Sequence, residues 1–375
     1  MRHGFRGFPV ISSNSVPWPH RIVTASRANG TPRIINPLDD PQWDAKLAHS
    51  LPDASPFVLS GWARVLTSTY GYTPTYLVDE SGGHLQSALP IMEVRSWLTG
   101  ARGVSLPFTD TCEAFGIATP DLPNLYEELF AFARIRNWKY LELRGTPPPD
   151  RQAQPSVSFW GHQVKLEPDT PALFARFDSA VRRAVRKAES ENVTVDFETS
   201  LESVQTFYRL LCKTRTRHGL PPQPWGFFAN VHRYVIGPGG GFVVIARLRG
   251  VPVAGAVFFA SGTRLLYKFA ASDDTYQHVR GNNLVIWRTI ELYARKGYRF
   301  LDFGRTSFTN NGLRRFKLSW NAEERPIDYF RYNVKTRAVI PTPDKAAEGL
   351  HTRVFRSLPQ PLTRLIGTAA YKHLG

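Results

Sequence analysis

The residues best placed to do chemistry in this sequence lie between Leu265 and Tyr332. Arg280-Gly281-Asn282-Asn283 stands at the expected start of a helix that runs to Gly297. Asn282 or Asn283 is expected to cap that helix by accepting an orphan N–H, and Gly297 to end it in the left-handed conformation. Such a loop presents free backbone N–H groups and one cation at the positive end of a helix dipole, where a phosphate, pyrophosphate or carboxylate is best held. A short strand (Arg299 to Phe303) follows the helix, and then come Gly304, Arg305, Lys317 and Trp320. These form a cluster of functional side chains on irregular backbone.

The elements that must position this cluster can be read from the same pattern. An apolar strand, Leu265 to Ala270, precedes the loop, so the order is strand, loop, helix, strand. Upstream, Tyr76 to Met92 and Phe242 to Phe259 each read as strand, tight Gly turn, strand. Trp138-Lys139-Tyr140-Leu141-Glu142-Leu143 lines up with Tyr298-Arg299-Phe300-Leu301-Asp302-Phe303, 160 residues later, and each follows a helix-like run. The chain thus reads as two similar α/β halves. Between them a helix is expected with Thr170 as cap and Pro171 in its first turn; Phe174, Phe177, Val181 and Val185 form its apolar stripe. Arg182, Arg183, Arg186 and Lys187 fall on its other face, as a solvated surface or as a cationic rim for a polyanionic substrate. Phe207 to Phe228 starts as a helix and is expected to break at Gly219-Leu220-Pro221-Pro222 into a loop rich in Trp and Phe. Gly237 to Gly241 reads as a flexible turn.

Composition bounds the rest. The formal charge of +16 points to an anionic partner, whether nucleic acid, a nucleotide or CoA-like cofactor, or the inner face of a membrane, unless it only reflects an Arg-rich background. No run approaches the roughly 18 apolar residues that span a bilayer, and no signal-peptide core follows Arg2 and Arg6. Cys112 and Cys212 are too few and too far apart for a disulfide framework or a zinc site, which fits a reduced cytoplasmic setting and no metal. Walker, dinucleotide, HExxH and nucleophile-elbow patterns are absent. His218 is the one histidine among candidate site residues, with a plain surface histidine as the competing reading. What remains is transfer chemistry that positions two substrates. Residues 1–33 are expected to form a mobile arm, 34–160 a first domain and 161–335 a second. Residues 336–375 read as a basic amphipathic tail of two short helices, packed on the protein or lying in an anionic membrane interface.

Five segments, Arg182 to Ala188 (RRAVRKA), Thr214 to Pro222 (TRTRHGLPP), Leu301 to Ser307 (LDFGRTS), Gly312 to Trp320 (GLRRFKLSW) and Pro326 to Tyr332 (PIDYFRY), together resemble the FemAB-like, BioF2-like branch of the GNAT acyltransferases. Ser60 to Tyr72 and Gly103 to Asp110 resemble that family's first domain. The resemblance implies an α/β (α+β) fold of two tandem GNAT-like domains, each a mixed sheet flanked by helices, with the site in the second. It implies an N-acyl or aminoacyl transferase moving an acyl group from acyl-CoA or aminoacyl-tRNA to an amine of a peptidoglycan or exopolysaccharide type precursor. Peripheral contact with the inner membrane face would go with that role. Lys317 matches the family's lysine near the reacting carbonyl, and Asp302 is then the group that orients the amine or takes its proton. Arg280 and Arg305 would neutralise phosphates, with Gly281, Asn282 and Asn283 completing the donor loop. Arg215, His218, Trp320 and Tyr329 would line the acceptor side. Asn283 departs from the family loop, standing where a small residue lets backbone approach phosphate. A non-catalytic basic module of the same fold, or a small-amine acetyl-CoA N-acetyltransferase, is the alternative.

Overall fold

A computed structural model of the chain describes residues 32–51, 53–81, 84–112, 122–150, 152–343, 355 and 358–373. The expected arm and the tail segment 344–354 therefore lie almost wholly outside the described residues. The first half contains β1 (Arg33–Ile35), α1 (Trp43–Ser50), α2 (Ser60–Tyr70), β2 (Thr73–Pro74), β3 (Tyr76–Ser81), β4 (His84–Leu89), β5 (Met92–Ser96), β6 (Gly100–Val104), α3 (Leu122–Ile135) and β7 (Tyr140–Arg144). The second half opens with β8 (Val157–Lys165), α4 (Thr170–Arg176), α5 (Ser179–Ser190), β9 (Val193–Glu198), α6 (Leu201–Arg217) and α7 (Trp225–Val231). It continues with β10 (Gly241–Leu248), β11 (Val251–Ser261), β12 (Arg264–Ser272), α8 (Gly281–Arg295), β13 (Phe300–Ser307), α9 (Asn311–Leu318) and β14 (Glu323–Asn333). A last helix, α10 (Gln360–Tyr371), follows.

The repeat seen in the sequence is a repeat of topology. In the first half β5 pairs with β6 antiparallel, and β6 runs on through α3 to a parallel β7. In the second, β11 pairs with β12 antiparallel, and β12 runs on through α8 to a parallel β13. The two halves do not keep separate sheets, however. One sheet of order β2-β5-β6-β7-β14-β8-β13-β12-β11-β10-β9 passes through both, beside a small β1-β3-β4 sheet. The join is β14, antiparallel to β7 on one edge and to β8 on the other.

Helices cover both faces. On one, α5 and α8 bury Val181, Val185, Leu284, Trp287 and Ile290 against β10 to β13. On the other, α6 and α7 share a core with α1 and α2 of the first half, so Phe207, Phe227 and Phe259 lie in the same cluster as Trp43, Phe57 and Trp62. Trp62 is fully buried, with ring centroids 5.8 Å from both Phe227 and Phe259.

Several local expectations are corrected. Arg280 stands in the left-handed region at φ 58°, no side chain caps α8, and Gly281 begins the helix, so Asn282 and Asn283 sit inside its first turn. Gly281 is pressed against the sheet, where a Cβ would meet Ala254 and Val253 at 3.2 Å. The expected helix from Thr170 is two helices, because Phe177 is extended between α4 and α5. Its cap is Asp169, which accepts from Ala172 N. The Trp- and Phe-rich loop is the helix α7, with Phe227 and Phe228 turned inward. A π-helical stretch, His232–Gly240, runs into the glycine-dense segment, and the chain turns there at Gly239, where φ is 95°. No described helix is long and apolar enough to cross a membrane.

A core shared by both halves should melt as one. Trp62→Ala should cost about 3–5 kcal/mol, the usual range for emptying a buried Trp site, and lower a single calorimetric transition. Two resolved transitions, only one of them moved by the substitution, would contradict the shared core.

Candidate functional site

The parallel pairing of β12 with β13 stops after Leu266 and Asp302. There β13 also changes register against β8, between Asp302 and Arg305, around a Gly304 at φ 67°. The strands splay, and the opening receives groups from three directions. Lys317, near the C-terminal end of α9, is buried and donates to the Gly304 and Arg305 carbonyl oxygens, both at 2.9 Å. An ammonium has three N–H donors, so one remains. Burial depresses the Lys317 pKa to about 8, against which the Asp110 and Asp302 charges act. β12 contributes Lys268, whose Nζ lies 3.3 Å from Asp110 Oδ2.

Asp110 belongs to the first half. It is delivered by the segment after β6, and Tyr329 of β14 fixes that segment by donating to Asp110 O at 2.6 Å. Gly304 lets the carboxylate in: a Cβ there would stand 2.7 Å from Asp110 Oδ2. Arg305 Nε lies 3.9 Å from Asp110 Oδ1, its guanidinium over the Phe159 ring at 4.3 Å and the Tyr329 ring at 5.1 Å. Burial alone would raise the Asp110 pKa, but Lys268, Arg305 and Lys317 outweigh it and hold the carboxyl below the ordinary range. Lys268 is lowered by its burial.

Asp302 behaves in the opposite way. Burial raises its pKa; it accepts the Gly304 N–H at 2.8 Å, and among the described residues it makes no ion pair. Its counterpart in the repeat is Glu142 on β7, which is bound by Arg144 and Arg331. Burial pushes Glu142 up, yet those two cations bring it down to about 2. Two halves place an acid at the same strand position; burial raises the pKa of the second, whereas two cations lower that of the first.

A second feature lies further along β12. A cavity of about 120 Å³ is lined by Ser272, Asp273, Gln277, Arg280, Gly281 and Asn282 among others, at the N-terminus of α8. Four residues separate Lys268 from Ser272, about 13 Å at the rise of a strand. The end of α6 is tied to the cavity rim, since Lys213 Nζ sits 2.6 Å from Asp273 Oδ2 and Thr214 Oγ1 bonds both the N–H and the C=O of Ser272. Arg215 in the last turn of α6 and His218 at its C-cap follow these ties in sequence, and neither lines the cavity. α5 lies against α8, with Arg288 Nη2 3.0 Å from Glu189 Oε1, and its Arg183, Arg186 and Lys187 are exposed.

Of the residues singled out in the sequence, the structure thus gathers Asp302, Arg305, Lys317 and Tyr329 at the splay and Arg280, Gly281, Asn282 and Asn283 at the cavity. Trp320 is in neither. It is completely buried in an aromatic cluster with Phe177, Phe303 and Phe316 and walls no open site. The hydroxyl of Tyr329 is taken up by Asp110 O, so this ring positions rather than lines. Asp110, Lys268, Glu142 and Arg144 escaped the sequence reading. A lysine inside the apolar run Leu265 to Ala270, and the alignment of Glu142 with Asp302, were the available signals.

Comparisons with known proteins agree with this architecture. Residues 175–318 match the family model described as an acetyltransferase (GNAT) domain. No curated protein matches in sequence. Among solved structures, FemX superposes with a TM-score of 0.60 at 13% identity, over 76% of this chain and 94% of that one. The C-terminal domain of a putative lysylphosphatidylglycerol synthetase from Agrobacterium fabrum gives 0.51 at 12% identity, over 79% and 90%. A tandem GNAT protein from the clavulanic acid biosynthesis pathway gives 0.50 at 13%, over 81% and 98%. These identities speak to fold alone, and the fold they share is that of a sheet built from two GNAT-like halves. The second half thus contains a GNAT acetyltransferase domain, and the fold of the chain as a whole is similar to that of FemX and of a tandem GNAT protein.

Proposed function

We propose that the chain is an N-acyl or aminoacyl transferase that uses the splay between β12 and β13 as its reaction centre, with an amine on a cell-envelope precursor of peptidoglycan or exopolysaccharide type as acceptor. The observation that carries this reading is Lys317: a buried ammonium, fixed by two backbone carbonyls, with one donor left, beside an acid that lacks an ion-pair partner among the described residues. The resemblance carried by the sequence segments, together with a structural neighbour named as a putative lysylphosphatidylglycerol synthetase, is the support for the acceptor class.

In this mechanism the acceptor amine attacks the donor carbonyl carbon directly, without a covalent enzyme intermediate. Negative charge develops on the carbonyl oxygen, and the remaining Lys317 N–H meets it in a water-poor setting where such a contact is strongest. The amine loses a proton to Asp302, whose raised pKa makes it a better base than an ordinary carboxylate. Collapse of the tetrahedral intermediate expels the donor's thiolate or ribose oxygen. Asp110, Lys268 and Arg305 neither gain nor lose protons; they hold the charge balance that keeps Lys317 in place. The donor's phosphates would rest on the N–H groups of Gly281 and Asn282 and on Arg280, in the cavity before α8.

The donor is read by thermal shift of the purified protein against acetyl-CoA, a longer acyl-CoA, and charged and uncharged tRNA. A ligand that binds the native state raises Tm by mass action. One of these donors should raise Tm, and Arg280→Ala should diminish the shift; no shift with any of them would contradict the proposal. The rate also has a pH signature. Below the raised Asp302 pKa the acid is protonated and cannot accept a proton, so kcat at saturating acceptor rises with pH through a value above the ordinary carboxyl range. Above about 8 Lys317 loses its charge, so kcat falls again. Asp302→Asn should remove the rising limb; a profile without a fall on the alkaline side would exclude a charged Lys317 from the reaction.

A further inference from the structure

Large apolar side chains stand in solvent at the tip of the β5–β6 hairpin and along α10. Trp97 is 87% exposed and Leu98 63%, and Leu365 of α10 is 67% exposed. The hairpin turn is stiffened by Ser96, whose Oγ accepts from Leu98 N at 3.1 Å and Thr99 N at 3.0 Å, so the tip is not a floppy loop. The same Oγ lies 2.8 Å from His373 Nδ1, and Arg102 donates to His373 O at 2.8 Å. The Trp97 ring is edge-on to that of His373 at 5.7 Å. The end of α10 is therefore fixed against the hairpin, and the two make one surface.

α10 packs on the protein through one side, Tyr371 against the core, and leaves two leucines outside. It turns Thr363 and Gly367 toward the protein, held there in part by Tyr371 OH donating to Pro221 O at 3.3 Å. Leu362 and Leu365 face solvent, and the helical spacing puts Ala369 and Lys372 on the same stripe. From Leu358 to His373 the sequence holds Arg364 and Lys372 and no Asp or Glu. Arg95 flanks the hairpin with its side chain 55% exposed. Arg95 is ion-paired with Glu93 at 2.6 Å, so the cations beside these leucines and the tryptophan that make no ion pair among the described residues are those of α10. Apolar side chains bordered by cations, with no acid on the helix, are the composition of an interfacial anchor.

We propose that this surface docks the protein on an anionic lipid bilayer, with Trp97, Leu98 and Leu365 entering the interface and Arg364 and Lys372 meeting headgroup phosphates. The charge decides the occupant. A second copy would bring the same cations face to face in a chain of formal charge +16. A nucleic acid would gain phosphate contacts but leave the leucines without a partner. The proposal stands apart from the acyl-transfer reading, since no residue of the splay or the donor cavity takes part.

The test is co-sedimentation of the full chain with vesicles of phosphatidylcholine alone and of phosphatidylcholine mixed with phosphatidylglycerol, at low and high salt. Binding should require phosphatidylglycerol and weaken with salt. Combined Trp97→Ser, Leu98→Ser and Leu365→Ser should reduce partitioning by roughly an order of magnitude with Tm and donor-induced thermal shift unchanged, because these side chains are exposed. Absence of binding to the anionic vesicles, equal binding to the neutral ones, or undiminished binding by the triple variant would overturn the proposal. So would light scattering that shows a dimer dissolved by the same substitutions, which would assign the surface to a second copy.

Discussion

One carboxylate, Asp110, stands against three cations where β12 and β13 splay, and the rest of the site depends on that balance. Lys268, Arg305 and Lys317 come from β12, β13 and α9 of the second half; Asp110 comes from the first. Buried charges of one sign repel and are costly to desolvate, and removing one partner of such a cluster commonly costs about 3–5 kcal/mol. The first half is thus more than a relic of duplication. It supplies a counter-charge that raises the pKa of the buried Lys317 against the effect of its burial. The continuous sheet follows from the same need, because β14 holds β7 and β8 in register while its Tyr329 ties down the segment that carries Asp110.

The repeat of topology also sets the two acids apart. Glu142 and Asp302 occupy matching positions on β7 and β13. In the first half the residue two places on is Arg144, which closes on Glu142 and shares it with Arg331. In the second half that place is Gly304, which has no side chain, takes a left-handed conformation and opens the strand. A glycine in place of the Arg144 equivalent therefore leaves Asp302 without the local cation that Glu142 has. The first-half acid is locked ionised at about 2, and the second-half acid is raised by burial.

The parts of this organisation that were legible in the sequence are those set by local pattern. Hairpins, the strand–loop–helix–strand unit and the matched pair Trp138 to Leu143 and Tyr298 to Phe303 all rest on periodicity and on Gly or Asn at element ends. The missed parts come from contacts between distant residues. Nothing near β14 states that it will pair with β7 rather than close a separate domain. Lys268 reads as an interruption of an apolar strand until Asp110 is brought to it from 158 positions away. Trp320 shows the reverse error: an aromatic next to a reactive lysine looks like a binding wall, yet tertiary packing against Phe177 and Phe303 claims it for the core. The Trp- and Phe-rich segment after Pro224 failed for a similar reason, since its helix is held by packing on Trp62 and Phe269 more than by its own propensity.

The most direct measurement is transfer of a labelled acyl or aminoacyl group to an amine acceptor by the wild-type chain and by Lys317→Met, with the folded state of each checked by its melting transition. If the Lys317 ammonium meets the developing oxyanion, the variant folds and its turnover falls by about 10²–10³, the range for loss of an oxyanion donor. A folded Lys317→Met protein that transfers at the wild-type rate would contradict the account.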